Sequence, residues 1–151
     1  MRISQRGLYA LKALTHLAEA YDRGLVKIRG IAEEEEIPEK FLEGILVILK
    51  NARLVASRRG REGGYRLRRP PAEIMIGEVV RIVDGPLAPF GDAVELAHRI
   101  KTEPRHAGLF DLFLDVRNAA AAILDHTSLQ DLVERNRRVL ARRGREASGR
   151  R

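Results

Sequence analysis

The sequence predicts a mainly α-helical fold with a small β-hairpin wing: a winged helix-turn-helix domain followed by a long helix. Two helical patterns meet at Ile37-Pro38, and proline suits the first turn of a helix but not its interior. Two short strand patterns then flank a glycine-rich turn over residues 60–64, as in a β-hairpin. Apolar residues of 109–124 recur at spacings of three and four, which indicates a helix that packs along a seam.

The first three helices are expected over residues 7–22, 29–36 and 38–51. Helical spacing gives each of them one apolar face. In the first helix this face comprises Leu8, Leu11, Leu14, Leu17, Ala18 and Tyr21. In the second it comprises Ile31 and Ala32, and in the third Phe41, Leu42, Ile45, Leu46 and Leu49. The second and third helices, joined by a short turn, have the helix-turn-helix layout.

A hairpin and a fourth helix complete the predicted first domain, residues 1–85. Strands are expected over 54–58 and 65–67, and Pro70 and Pro71 close the hairpin. A hairpin directly after the third helix is the wing of a winged helix. A short helix follows over 76–83, and the sequence Asp84-Gly85-Pro86 stops it.

The rest of the chain is predicted to form a connector, two helices and a tail. Residues 86–108 are rich in proline and glycine and form a connector outside the first core, with a possible helix over 92–102. A long helix is expected over 105–125, and Ser128 with Asp131 predicts a capping box at the start of a last helix. Residues 109–140 thus comprise a dimerisation helix and a C-terminal helix, and 141–151 a basic, disordered tail.

The seam of the long helix is the candidate dimer interface, because an apolar stripe at heptad-like spacing packs against a second helix. Its residues are Leu109, Leu112, Phe113, Val116, Ala120 and Ile123. The apolar positions of the last helix, Leu129, Leu132 and Val133, are expected to fold back onto the first domain.

The positive charge of the chain is confined to two short stretches. The net charge is +7, of which residues 53–69 supply +6 and residues 142–151 supply +4, so the rest of the chain carries −3. A localised basic patch is typical of a surface that binds phosphate groups. The alternative for residues 53–69 is a solvated arginine-rich face without a partner.

Composition excludes several classes of protein. The chain has no cysteine, which excludes a disulfide framework and thiolate-held metal sites. It has no long apolar stretch and no apolar signal core behind its first residues, so neither a membrane span nor a signal peptide is expected. A cytoplasmic location is therefore predicted. No phosphate loop, nucleophile elbow or zinc-protease motif is present, so no enzyme is expected.

A helix-turn-helix places its second helix in the major groove of DNA, with its N-terminal residues towards the bases. Here that end carries Glu39, Lys40 and Glu43, whose side chains can accept from cytosine or donate to guanine. The alternative is that they are ordinary solvent-facing residues. Further candidate DNA contacts lie in the wing and before the first helix: Arg58, Arg59, Gly60, Arg61, Arg66, Arg68 and Arg69, together with Arg2, Ser4 and Arg6. The acidic run over residues 33–36 is expected to face away from DNA.

These stretches resemble a known family. Residues 37–43, the Ser57-Arg58-Arg59-Gly60 segment and the Gly63-Gly64-Tyr65-Arg66-Leu67 segment are similar to the Rrf2 family of bacterial winged-helix regulators, which includes the IscR, NsrR and CymR types. The resemblance covers roughly residues 1–140. It implies homodimers crossed through the long helix on a partly palindromic operator. It also implies DNA contacts from Pro38, Glu39, Lys40, Glu43, Arg58, Arg59, Gly60 and Arg61.

The connector departs from the family pattern. Many members hold an iron–sulfur cluster with three cysteines there, whereas this connector offers Asp92, Glu95, His98, Glu103 and His106. These side chains are expected to be surface residues, although oxygen and imidazole ligands remain an alternative for a metal. No cofactor is predicted, and the cluster's sensing chemistry does not carry over.

The predicted function is that of a sequence-specific DNA-binding transcription regulator, in particular a repressor, acting as a homodimer. Its signal is open: a small molecule, a partner protein or none. The alternatives are a winged-helix protein-interaction module and a non-specific nucleic-acid binder. The arginine-rich wing argues against the first of these.

Overall fold

The computed structural model describes residues 2–87 and 91–149. Its elements follow the predicted order, helices first, then the hairpin, then four further helices. They are α1 (Gln5–Glu19), α2 (Ile28–Glu35), α3 (Glu39–Asn51), β1 (Val55–Arg58), β2 (Gly64–Leu67), α4 (Ile76–Asp84), α5 (Ala93–Thr102), α6 (Ala107–Leu124) and α7 (Leu129–Ser148). The mainly α-helical fold with one antiparallel hairpin is thus confirmed.

The main core lies where α1 packs against α2, α3 and α4. The expected inward residues of α2 and most of those of α3 are buried there. The prediction was wrong for Phe41, Leu8 and Tyr21, which are exposed. Phe41 lies beside the helix face that enters the core and contacts Tyr9 edge to face, with ring centroids 5.6 Å apart. Tyr21 leaves the stripe because α1 ends at Glu19 and a short 3₁₀ turn follows.

The wing is anchored to the first domain at both ends. Val55 pairs with Leu67 at the open end of the hairpin, and Arg58 pairs with Gly64 at the turn. Val26, from the segment between α1 and α2, forms a further antiparallel bridge with Tyr65. Their backbone groups exchange two hydrogen bonds of 2.8 Å. The hairpin is therefore fixed relative to α2 and α3 rather than hinged on β1 alone.

The part of the chain after α4 differs from the prediction in two places. The predicted connector contributes to the first core, since Leu87 is buried there. Residues 141–148 were expected to be a disordered tail, but they continue α7 to Ser148. Alanine, arginine and glutamate favour a helix and outnumber the single Gly144, so the helix propagates once the predicted capping box of Ser128 and Asp131 has started it.

Two packing contacts hold the C-terminal helices. Helix α5 lies against α6, where Leu96 and Phe110 are buried and the Arg99 guanidinium lies 4.1 Å from the centre of the Phe110 ring. Helix α7 returns to α1, with Leu129 and Val133 buried as expected. In contrast, the seam of α6 mostly faces outward.

Candidate nucleic-acid interface

The turn between α2 and α3 sets the direction of α3. Glu36 adopts a left-handed conformation with φ 53°, which ends α2. The Ile37 amide then donates to the carbonyl of Ala32 at 3.0 Å, and the Ile37 side chain is buried. Pro38 occupies the cap position of α3. This arrangement fixes α3 with one face in the core and the opposite face free.

The free face of α3 carries the predicted base-reading residues. Glu39, Lys40 and Glu43 are all exposed at its N-terminal half. The same face continues at helical spacing to Val47, which is 57% exposed, and to Lys50. The face combines two cations, two carboxylates and an apolar patch, the mixture that hydrogen bonding to base edges and contact with thymine methyl groups require.

A groove of about 390 Å³ separates the C-terminal half of α3 from the wing. Lys50 lines it on the helix side, and Arg58 and Arg59 line it on the wing side. Lys27, which precedes α2, joins them and donates through Nζ to the carbonyl of Arg61. Four cationic side chains from three separate segments therefore converge on one concave surface.

Sequence reasoning missed two of these four cations. Lys50 lies on the stripe of Lys40 and Glu43, so extending the helical spacing along α3 identifies it. Lys27 carries no local signal, because only the pairing of Val26 with Tyr65 brings it beside the wing. Its inclusion depends on a contact between segments that are almost forty residues apart.

The wing tip presents its cations without acidic partners. Arg58, Arg59, Gly60 and Arg61 are exposed. Within residues 2–87 and 91–149, none of these three arginines forms an ion pair. Gly60 has φ 101°, a conformation that favours glycine. Unpaired guanidinium groups on a tight, narrow hairpin are available to bind phosphate or to enter a minor groove.

Three other candidate contacts are engaged inside the protein. The Ser4 hydroxyl caps α1 by accepting from the Gly7 amide at 2.9 Å, and it donates to Asp84. The guanidinium of Arg69 donates to Glu78 at 2.6 Å, and that of Arg6 donates to a backbone carbonyl in α4 at 3.2 Å. Arg2 is exposed just before α1, and Arg66 and Arg68 are exposed in and after β2.

The acidic run at the end of α2 is only partly solvated. Glu35 is half-buried, and its carboxylate lies 3.1 Å from Nδ1 of His16 in α1. Lys12 donates to the backbone carbonyl of the same glutamate at 2.8 Å. Glu33 pairs with Arg29 on the exposed face of α2. The run thus helps to join α1 to α2.

The clearest pKa shifts lie away from this surface. The guanidinium of Arg81 donates to both oxygens of Asp125, at 2.6 and 2.9 Å. This hydrogen bonding lowers the pKa of Asp125. In the same way, Arg99 lowers the pKa of Glu103. The first pair connects α4 with the end of α6, and the second lies at the C-terminal end of α5. Both are therefore structural contacts.

Comparison with known proteins identifies this architecture. Residues 3–135 match the family model described as Rrf2, iron-dependent transcriptional regulator. The chain belongs to the Rrf2 family. A putative HTH-type transcriptional regulator of Mycobacterium tuberculosis is 41% identical over 132 residues, 87% of this chain and 81% of that protein. CymR of Bacillus subtilis is 34% identical over 87% of this chain and 89% of its own length.

Solved structures of Rrf2 proteins have the same fold. The structure of CymR, the global cysteine regulator of B. subtilis, superposes with a TM-score of 0.73 and 32% identity, covering 89% of this chain and 97% of that one. IscR of T. potens gives a TM-score of 0.70 and 27% identity, covering 90% and 88%. This Rrf2 protein is accordingly a DNA-binding transcription regulator and not an enzyme. In the described part of the chain, no helix is long and apolar enough to cross a membrane.

The family description names iron, and the residues of this chain do not fit an iron–sulfur cluster. The sequence contains no cysteine, the residue that supplies most cluster ligands. Among residues 2–87 and 91–149, no group of three or more His, Asp or Glu side chains is placed to hold a metal ion. In the connector, Asp92 caps α5 through its carboxylate and Glu103 pairs with Arg99.

Proposed function

We propose that this Rrf2 protein is a sequence-specific repressor that binds a partly palindromic operator as a homodimer, without an iron–sulfur cluster, in the cytoplasm. The observation that carries the proposal is the basic groove beside an exposed helix face. One wall is α3, which is narrow enough to enter a major groove, and the other is an arginine-bearing wing.

In this proposal the N-terminal half of α3 and the basic groove have different tasks. Lys40, Glu39 and Glu43 lie at the N-terminal half of α3 and contact base edges, which gives sequence specificity. Lys50, Arg58 and the other cations of the groove and the wing tip contact phosphates and position the helix. Pro38 and Gly60 act through the backbone, by starting α3 and by letting the wing tip approach the duplex. Before α1, Ser4 and Arg6 are engaged inside the protein, so Arg2 is the residue that contacts phosphate there.

The homodimer is supported by the outward-facing seam of α6. Of its six predicted residues, Leu109, Leu112, Val116 and Ile123 are exposed, whereas Phe113 and Ala120 are half-buried. Exposed apolar side chains in one row are costly in water and typical of a protein–protein interface. Two protomers joined by a twofold axis present two α3 helices, and a palindromic operator matches that symmetry.

Selection from a pool of random duplexes tests the function directly. The full-length protein is incubated with the pool at two salt concentrations, and the retained DNA is sequenced. A palindromic motif is the expected result. Retention that depends on salt but yields no motif would replace the proposal with a non-specific nucleic-acid binder. No retention would favour the protein-interaction module.

Operator binding in the presence of a chelator tests the cluster-free part. Because no cysteine is available, affinity for the selected operator should be the same with and without a strong iron chelator. A loss of affinity that added iron restores would contradict this part of the proposal. Repression then follows if a reporter gene placed behind the operator is expressed less in cells that contain the protein.

A further inference from the structure

The last part of α7 forms a basic arm, defined as residues 137–148. Helix α7 is held to the body of the protein near its start, where Leu129 and Val133 are buried. Every residue of the arm, in contrast, is exposed. The family model matches residues 3–135, so the arm lies outside the matched region.

Arginine dominates the charge of the arm. The arm contains five arginines and one carboxylate, that of Glu146, so its net charge is +4. In the described part of the chain, none of the five forms an ion pair. Glu134 lies one turn before Arg138, but it accepts from Gln130 instead. Because Arg138 and Arg142 are four residues apart, their charges repel each other along the helix.

Three of the arginines lie in one row on the solvent side of α7. Arg138, Arg142 and Arg145 follow at spacings of four and three residues within one continuous helix, which places them on one face. At 3.6 residues per turn this face lies opposite the buried side chains of Leu129 and Val133. The arginine row, defined as these three residues, extends about 10 Å along the helix axis.

The chemistry of the arginine row fits the phosphates of a DNA duplex. Duplex DNA carries one negative charge per roughly 1.7 Å of its axis, so a row of this length can contact more than one phosphate, and guanidinium groups bind phosphate oxygens strongly. An anionic membrane fits less well, because a helix that lies on a membrane needs a large apolar face. After Leu140 the only apolar side chains of the arm are alanines.

The arm starts beside the helix-turn-helix. Val139 lines a groove of about 500 Å³ between α1 and α7, and Glu35 lines the same groove. Glu35 is the last residue of α2 and comes directly before the turn into α3. From Val139 to Ser148 the helix extends about 14 Å further. The arm is therefore anchored to the same domain as the proposed DNA-binding helix.

We propose that the arm of each protomer binds phosphates of the DNA that flanks the operator, through Arg138, Arg142 and Arg145. The inference rests on the proposed DNA-binding function and adds a third contact to those of α3 and the wing. Phosphate contacts carry no sequence information, so the arm raises affinity without changing the operator sequence. Neutralisation of the arginines also removes their mutual repulsion, which stabilises the helix of the arm on DNA.

Salt dependence on two duplexes tests the inference. The selected operator is prepared as the bare palindrome and with about 15 base pairs added on each side, roughly 50 Å of duplex. On the extended duplex, the slope of log affinity against log salt concentration should be lower by about 3.6 for full-length Arg138→Gln/Arg142→Gln than for wild type, because the proposed dimer loses four contacts. The two proteins should have equal slopes on the bare palindrome.

The matched control is Arg137→Gln/Arg143→Gln, which removes the same charge from the arm but lies off the arginine row. Its slope on the extended duplex should equal that of wild type. Equal effects of the two variants would overturn the inference, because they would indicate net charge rather than contacts of the row. Glutamine is a good helix former, so both variants keep the helix.

The outcomes separate this inference from the proposed function. Equal slopes of the row variant and wild type on the extended duplex would overturn the inference in favour of another acidic partner, while operator binding and the proposed function would stand. Failure of wild type to retain any DNA would overturn both. As a second measurement, trypsin cleavage after Arg142 should slow at least tenfold when the extended duplex is bound. An unchanged cleavage rate would again exclude contact between the arm and DNA.

Discussion

Replacement of Arg59 by alanine should reduce the salt dependence of DNA binding by a calculable amount. Arg59 is exposed at the wing tip, lines the basic groove and has no acidic partner in the described residues. Each phosphate contact contributes about 0.9 to the slope of log affinity against log salt concentration. The proposed dimer would lose two contacts, so Arg59→Ala should lower the slope by about 1.8.

The change is large enough to measure by titration of a fluorescent operator duplex. Over a fourfold increase in salt, from 50 to 200 mM, wild-type affinity should fall about tenfold more than that of Arg59→Ala. Arg69→Ala is the control, because it removes the same charge nearby but its guanidinium is paired with Glu78. Equal slopes for wild type and Arg59→Ala would refute the reasoning. Equal effects of the two variants would indicate net charge rather than a contact.

Four further results are expected. Lys40→Ala should change the preference among operator sequences by about 1–3 kcal/mol, measured by competition; equal weakening of all sequences would exclude base reading. Leu112→Glu should give monomers by light scattering, and a dimer would misplace the interface. Gly63→Ala should lower stability by about 1–3 kcal/mol in urea, because its Cβ would overlap a wing carbonyl oxygen; an unchanged midpoint contradicts this. Asp125→Asn should lower the melting temperature at neutral pH, and the difference from wild type should shrink only as the pH falls below about 4, since Arg81 lowers that carboxyl's pKa in the folded protein.

The sign of the last expectation follows from the direction of the shift. A carboxyl whose pKa is lower in the folded state stabilises the fold above its unfolded pKa, and this contribution is lost as the pH falls through the folded value. Asp115→Asn is the matched control, because Asp115 is exposed on the same helix and has no ion pair in the described residues. A difference between wild type and Asp125→Asn that persists in acid would mean that the pair is not responsible.

The sequence by itself determined the elements whose signals are local. Pro38 marks the start of α3, and the glycines of residues 60–64 mark the turn of the wing. Ser128 and Asp131 form the capping box that their spacing predicts. Each of these signals depends on backbone preferences and hydrogen bonds within about four residues. For that reason the order of the elements and most of the buried faces were predictable.

Tertiary structure alone decided which polar and apolar side chains are free. Ser4 is engaged by Asp84, 80 residues away, and Arg69 by Glu78. In contrast, Arg59 has no acidic partner among the described residues, and Lys27 joins the wing. Leu8 continues the α1 stripe in sequence yet faces an open groove. Periodicity gives the face of a helix but not what covers it, and the charge of an arginine does not indicate whether a carboxylate from another element lies within reach. Those distances exist only after the helices have packed.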